Sequence, residues 1–463
     1  MYIAIANSIG ASSRVNGGGG GGSFTNKYSL NFDGVDDNLY IGTALNLGTD
    51  STISLWIKRG RASGTEVVLS ENSYTSNYIF EIGPGAQLWY RIDSVYLTFQ
   101  SVAISAIINN NTTNWTNICF VRSGDSVELF LNGNSMQVLT GVGSVIDTRF
   151  DRIGSWYNYT YAFQGNIDEV SAFNSALTSS DITDIYNSGV PTDLTSLSPV
   201  AWYRNGDNGT WARPQWLIPS NENKDKVSNY SLAFDGVDDY VNTGFSALDG
   251  ATSFTLSCWI NTSYNSWQYL FGDGSFTIFL KQNINRVDIT FNGAVVGRSY
   301  NFAVTLGQWH HVAITFDASL IQIDRLKVYI DDFRVTNSLS GTTATSYVAV
   351  SNFMIGRAGT SSSTEWNGYI DEFATFNSVQ NISDLYNSGT PTTLPSGAVA
   401  HWKMGENSTF VGGVWAVEDV VGSNDGTSSG MLIDARVGDA PNSTSNAVSL
   451  NMDEVDRETD VPA

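Results

Sequence analysis

Apolar and polar side chains alternate along much of this chain. Ile53, Leu55 and Ile57 are interleaved with Ser54, Trp56 and Lys58, and Phe254, Leu256, Cys258 and Ile260 repeat the arrangement further on. A period of two predicts strands with one buried face, because successive side chains leave a strand on opposite sides. Val127, Leu129 and Leu131 alternate likewise and run into Asn132-Gly133, the signal of a tight hairpin; Leu326, Val328 and Ile330 run into Asp331-Asp332. Helical spacing is confined to short stretches. Ser179 to Ser188 starts with hydroxyl and acidic residues, has Ile182 and Ile185 three apart, and ends at Gly189 and Pro191; Ile382, Leu385, Gly389 and Pro391 copy it. Strands joined by turns, with one short helix per copy, predict an all-β fold of packed antiparallel sheets.

The pattern is written twice. Ser29-Leu30-Asn31-Phe32-Asp33-Gly34-Val35-Asp36-Asp37 returns as Ser231-Leu232-Ala233-Phe234-Asp235-Gly236-Val237-Asp238-Asp239, 202 residues on. Trp56 and Trp259, Trp115 and Trp309, and Gly165 to Glu169 with Gly368 to Glu372 keep nearly the same interval. A period this long predicts two tandem domains, each closing its own core. The expected organisation is an N-terminal arm over 1–26 with a hexaglycine tether at Gly17 to Gly22, domain 1 over 27–199, domain 2 over 200–398, and a C-terminal segment over 399–463. Val200-Ala201-Trp202-Tyr203-Arg204 is expected to open domain 2. By the same logic Val399 onward, with Ser449 to Asp456 echoing the opening stretch, reads as a truncated third repeat that donates strands to domain 2 or to another chain.

Composition changes the picture in three ways. The chain has 463 residues with 41% hydrophobic and only 15% charged, enough apolar material for two sandwich cores. Its formal charge of −22 argues against nucleic acid as a partner and makes calcium a candidate cofactor. Cys119 and Cys258 fall on different strands of different copies, which excludes a disulfide framework. No apolar run is long enough for a membrane-spanning helix, and Met1 to Ile9 makes a poor secretory leader.

Phe-Asp-Gly-Val-Asp-Asp-Tyr-Val, a strand carrying Trp, Gly307-Gln308-Trp309-His310-His311-Val312-Ala313, Gly368-x-Ile370-Asp371-Glu372 and a helix ending Leu385-Tyr386-Asn387-Ser388-Gly389 together resemble the LamG-like jelly-roll domains of the concanavalin A-like lectin/glucanase superfamily. The resemblance covers about 27–190 and 228–390, and it implies two tandem concanavalin A-like β-sandwiches. The tandem, the Gly-rich arm and the short tail also resemble virion structural proteins of marine bacteriophages.

Three kinds of site follow. Glucanases of the superfamily carry Glu-x-Asp-x-Glu on one strand. Glu454-Val455-Asp456-Arg457-Glu458 fits that spacing but lacks a flanking apolar strand, so no catalytic residue is assigned. The family also implies a structural calcium, for which Asp33 and Asp235 in the turns and Asp168 and Asp371 in the Ile-Asp-Glu stretches are candidates; the alternative is that they bond turn amides. Trp156, Tyr157, Tyr159 and Tyr161, with Trp366 in the second copy, are candidates for stacking on sugar rings. His310 and His311 are adjacent and so point to opposite faces of a strand.

The expected function is non-enzymatic: a virion structural or adhesion protein on the particle surface, bound to other virion proteins through its arm and C-terminal segment, forming a homo-oligomer and contacting host-surface glycans. A secreted or cell-surface carbohydrate-binding lectin is the alternative, and a glycan hydrolase comes third.

Overall fold

The computed structural model describes residues 24–462 apart from 72–77, 93–94, 111, 247, 291–297, 302–303, 336, 340–344, 349–352 and 360–363. Most of the expected N-terminal arm, including its glycines, lies outside the described residues. What is described is four antiparallel sheets packed as two sandwiches.

In domain 1 the first sheet runs, in spatial order, Asn134–Thr140, Ser126–Leu131, Thr116–Ser123, Asp50–Arg59, Gln164–Phe173, Ser29–Asp33 and Arg457–Glu458. Domain 2 repeats that order with Phe333–Arg334, Leu326–Ile330, Trp309–Asp317, Ser253–Asn261, Asn367–Phe376, Ser231–Asp235 and Arg436–Val437. The apolar positions read from the sequence face the cores, with Ile53, Leu55 and Ile57 in domain 1 and Phe254, Leu256, Cys258 and Ile260 in domain 2. The expectation of one buried face is corrected, since Ser54, Trp56, Thr255, Ser257 and Trp259 on the other face are buried as well. The expected tight turn is present, with Asn132 and Gly133 both at positive φ (51° and 75°), as a two-residue hairpin requires. Cys119 and Cys258 are buried free thiols.

The short helices are Ser179–Tyr186 and Ile382–Tyr386. Thr178 caps the first through a reciprocal bond pair with Asp181, and left-handed Asn187 ends it. Both lie on the outer side of the first sheet, where Ile182 and Ile185 are buried and Trp56 stacks on Tyr186 at 5.7 Å between ring centres, as Trp259 does on Tyr386 at 5.9 Å. Domain 1 has a further helix, Val102–Asn110, whose Ile104 and Ile108 are one turn apart and enter the core.

The domain boundaries read from the sequence are corrected at two points. Ala201–Tyr203 does not open domain 2. It pairs antiparallel with Gln164–Phe173, placing Ala201 and Tyr203 in the core of domain 1 and Trp202 under its helix. The strand thus returns to its predecessor across a helix and closes the domain it leaves. Ala398–Trp402 does the same in domain 2.

Nor is the C-terminal segment a third repeat. Each domain is finished by a hairpin and then by a sealing segment. In domain 2 these follow directly: hairpin Ser408–Val411 with Val414–Val417, then strand Gly426–Ser429 inserted between Val414–Val417 and Tyr240–Asn242. In domain 1 the hairpin is Thr210–Ala212 with Gln215–Ile218, but the inserted strand is Ala447–Leu450, which arrives only after all of domain 2 and slots between Gln215–Ile218 and Asn38–Gly48. Domain 2 is therefore nested inside domain 1.

The two seals are copies of each other, 21 residues apart. Met431, Arg436 and Asp439 in one match Met452, Arg457 and Asp460 in the other. Trp415 donates its indole N–H to Leu432 O at 2.8 Å and Trp216 donates to Asp453 O at 3.0 Å. Trp309 donates to Asp439 Oδ1 at 3.1 Å and Trp115 to Asp460 Oδ1 at 2.9 Å. Ser231 and Ser29 each donate from Oγ to the backbone carbonyl of that aspartate, both at 2.6 Å. The outward and returning crossings between domains run side by side: buried Asn446 accepts from Ser220 N and Asn223 Nδ2 and donates to Asn229 O. A Cβ at Gly438 would lie 1.9 Å from Asn446 O, so this crossing tolerates no side chain there.

Candidate functional site

The Gly-x-Ile-Asp-Glu stretch recurs for a structural reason. At Glu169 and at Glu372 the backbone turns to φ 48°, and the pairing with the neighbouring strand skips a register there. The bulge inserts an extra residue into the strand, and both adjacent acidic side chains are buried there. Asp168 then accepts from Asn26 Nδ2 at 2.9 Å and Asp371 from Ser228 Oγ at 2.5 Å, each anchoring the residue by which the chain enters its domain. Glu169 accepts from the Trp202 indole at 2.6 Å and from Arg204 at 3.1 Å, and Glu372 meets His401 Nε2 at 2.7 Å, each holding the returning strand.

These contacts separate the expected calcium ligands. Asp33 pairs with Gln164, four residues short of Asp168 on the same strand, roughly 13 Å at the usual rise per residue. Burial, reinforced by Glu169, raises Asp168 well above the usual carboxylate range; burial with Glu406 and Glu372 does so for Asp371. A carboxyl that keeps its proton is a poor cation ligand. The acidic groups that do converge are Asp33, Asp36 and Asp37, and their copies Asp235, Asp238 and Asp239, with side-chain oxygens within 4.8 Å of one another. Asp33 Oδ1 already accepts the amides of Val35 and Asp36, Asp37 Oδ2 accepts the amide of Asp33, and domain 2 repeats the pattern. Burial pushes Asp37 up to about 7, with the Asp33 amide opposing and Asp33, Asp456 and Asp36 adding to it. The turns fit backbone organisation better than a cation, which would need several more oxygens.

The catalytic spacing also dissolves. Glu454–Asp456 is a single tight turn and only Arg457–Glu458 is strand, so the three carboxylates do not project from one strand. Glu458 accepts from Asn166 Nδ2 at 2.8 Å, and Asp456 from the Asp453 amide at 2.5 Å. His310 and His311 do point apart: His310 Nδ1 meets Asp331 Oδ2 at 2.6 Å, while buried His311 meets Ser257 Oγ through Nε2 at 2.8 Å. Burial lowers His311 to about 4, and Asp331 serves the other histidine, so no serine, histidine and aspartate are aligned here for nucleophilic attack.

The aromatic candidates divide. Trp366 is 0% exposed in the core of domain 2 and has no face to offer a sugar, which corrects its assignment. Trp156 and Tyr157 are half-buried and packed edge to face at 4.8 Å. Tyr159 and Tyr161 are 38% and 53% exposed, both with left-handed φ (63° and 57°), an uncommon conformation for a bulky residue outside a functional loop.

Tyr159 lines a cleft of about 980 Å³ between the two sandwiches. Domain 1 also contributes Tyr40, Arg152, Trp211 and Arg213, domain 2 contributes Phe410, Leu432 and Asp434, and the returning C-terminal segment supplies Met452 to Val455. Trp211 and Phe410 occupy the same position in the two finishing hairpins, packed against Trp216 and Trp415 at 5.5 and 5.3 Å, and here they meet at one cavity. Arg152 is 7% exposed, lies over the Tyr40 ring at 4.8 Å and donates to Asn38 Oδ1 at 2.9 Å, and no carboxylate within 4 Å pairs with it among the described residues. The floor is bonded across the domains: Arg436 donates to Ala212 O at 2.9 Å and the Phe410 amide to Arg213 O at 3.1 Å. Flat aromatic faces, charged hydrogen-bonding groups and fixed walls are what a ligand pocket needs. Sequence reasoning found Tyr159 alone of this set; the matching aromatics of the two hairpins were the signal available for Trp211 and Phe410.

A family profile described as the concanavalin A-like lectin/glucanases superfamily matches residues 33–183 and again 235–384, about two thirds of the chain. No curated protein sequence matches. Among solved structures, a Bacteroides ovatus protein described provisionally as carbohydrate binding is 12% identical, with 88% of this chain and 95% of that one covered and a TM-score of 0.34. The SAP-like pentraxin of Limulus polyphemus is 13% identical over 43% of this chain and 97% of that one, with a TM-score of 0.32. Domains LG4-5 of the mouse laminin alpha1 chain are 10% identical over 80% and 93%, with a TM-score of 0.26.

Proposed function

The chain belongs to the concanavalin A-like lectin/glucanase superfamily, and we propose that it is a non-enzymatic carbohydrate-binding protein whose site is the cleft between its sandwiches. The observation that carries this reading is the convergence of Tyr40, Tyr159 and Trp211 with Phe410 from the other domain, beside Arg152 and Arg213. Aromatic faces suit the apolar sides of sugar rings, and guanidinium groups suit their hydroxyls. The scattering of Glu454, Asp456 and Glu458 supports binding without hydrolysis.

An adhesive role on a virion or a bacterial surface is the setting we attach to this activity. In that setting the N-terminal arm is the proposed attachment to other virion proteins and to further copies, while the C-terminal segment pairs with domain 1 of its own chain. The test is a glycan array with the purified chain beside Tyr159→Ala and Trp211→Ala. Glycan binding by the parent, weakened tenfold or more in either variant and without release of reducing sugar, is expected. Binding that survives both substitutions moves the site elsewhere, and release of reducing sugar overturns the non-enzymatic reading.

A further inference from the structure

We infer that the cleft recognises an internal stretch of a neutral glycan chain, several sugar units long and spanning both domains, rather than a single terminal sugar. This rests on the carbohydrate-binding reading above and adds to it the length and charge of the ligand.

Length follows from where the contacts lie. The cavity of about 980 Å³ is near the upper end of ordinary ligand sites, and one sugar ring fills only a fraction of it. Its aromatic side chains are not clustered on one domain. Tyr40, Tyr159 and Trp211 stand on domain 1, and Phe410 stands on domain 2 in the position equivalent to Trp211, so a ligand that uses all four must reach across the junction. Leu432 and Val455, one from each seal, add apolar surface and are 70% and 80% exposed. The cleft needs little closing motion, because the bonds from Arg436 to Ala212 O and from Phe410 N to Arg213 O already join its walls. A preformed cleft open to solvent can take a chain longer than the cleft itself.

Charge follows from the lining. Arg152 and Arg213 line the cleft together with Asp434, Asp453 and Glu454, so it carries nearly balanced charge within a molecule of net charge −22. A carboxylated or sulfated chain would meet one more carboxylate than guanidinium in the walls, and the acidic field of the whole protein, whereas hydroxyl groups can pair with acidic and basic groups alike.

The experiment is calorimetric titration of the full chain with neutral oligosaccharides of β-glucan, xylan and mannan type, one to six units long, beside oligouronates of the same lengths. Affinity for one neutral series is expected to climb at least a hundredfold between two and six units. Phe410→Ala is expected to cost the six-unit ligand about tenfold and the two-unit ligand little, while Tyr159→Ala weakens both. An affinity that levels off at one or two units, or oligouronates binding as well as neutral chains, overturns this inference and leaves carbohydrate binding standing. If no series binds at any length, both fall.

Discussion

The two domains use the same parts and differ in where one of them comes from. In domain 2 the sealing strand Gly426–Ser429 follows its hairpin directly, whereas in domain 1 the equivalent strand Ala447–Leu450 is supplied from the far side of a whole domain. The partners are otherwise matched: Trp415 and Trp216 receive the seals, Trp309 and Trp115 bind their aspartates, and Ser231 and Ser29 bond their ends. Sequence distance is therefore not what defines a domain here. Packing decides, and a strand goes wherever an open place between two others leaves backbone groups unpaired.

The largest effect should come from removing residues 447–463. Domain 1 loses the strand between Asn38–Gly48 and Gln215–Ile218 together with buried Met452, while every strand of domain 2 remains. Calorimetry of the shortened chain is expected to show one cooperative transition, with limited proteolysis leaving a fragment near residues 220–440. Two retained transitions would mean that the return is dispensable.

The next largest concerns a charge present in one domain alone. Buried Glu66 binds Arg59 and Arg61 at 2.5 and 3.1 Å and accepts the Gln164 amide; its counterpart Gln268 accepts the Asn367 amide at 3.0 Å without any arginine. Glu66→Gln keeps the amide bond but strands two cations, so a loss of about 3–5 kcal/mol in domain 1 is expected from denaturant titration. Adding Arg59→Thr, after Thr262 at that place in domain 2, should recover much of it. A single variant as stable as the parent would show that the ion cluster contributes nothing.

The smallest effect is on pH, and it is shared. Burial raises Asp37 and Glu81 to about 7 in domain 1 and Asp239 to about 6 in domain 2. Each holds its proton more tightly when folded, so its contribution is full below about pH 4 and is lost as pH rises through 6 to 7. Unfolding temperatures of both domains are expected to fall by on the order of 5 °C between pH 5 and pH 8, given about 2–4 °C per kcal/mol for domains of this size. Calcium should leave both values unchanged, since backbone amides already organise the acidic turns; a rise with calcium at pH 8 alone would assign those turns to a cation. Asp460 runs against the trend. Burial would raise it, but Lys58 at 2.5 Å and the Trp115 indole hold it below the usual range, whereas Asp439, facing Trp309 alone, is raised.

The repeat was legible because its two copies keep the same residues, and the alternation, the hairpin at Asn132-Gly133 and the helices over Ser179–Tyr186 and Ile382–Tyr386 because each depends on neighbours within a few residues. The destination of Val200 to Arg204 was not, since a strand carries no mark of the sheet it joins. Ser449 to Asp456 misled through likeness to the opening stretch, while the spacing from Met431 through Arg436 to Asp439, repeated at Met452, Arg457 and Asp460, was present in the sequence and pointed to paired seals. Trp366 and Tyr159 looked equivalent as loop aromatics. Only tertiary packing distinguishes a ring sunk in the core from one facing a cleft.

The nested order of the chain also fixes an order in time. Domains usually fold as they leave the ribosome, N-terminal first. Here the second sandwich has all its described strands once Arg436–Val437 has emerged, while the first still waits, with a gap beside Asn38–Gly48, for strands made only after all of domain 2. The domain translated first is completed last.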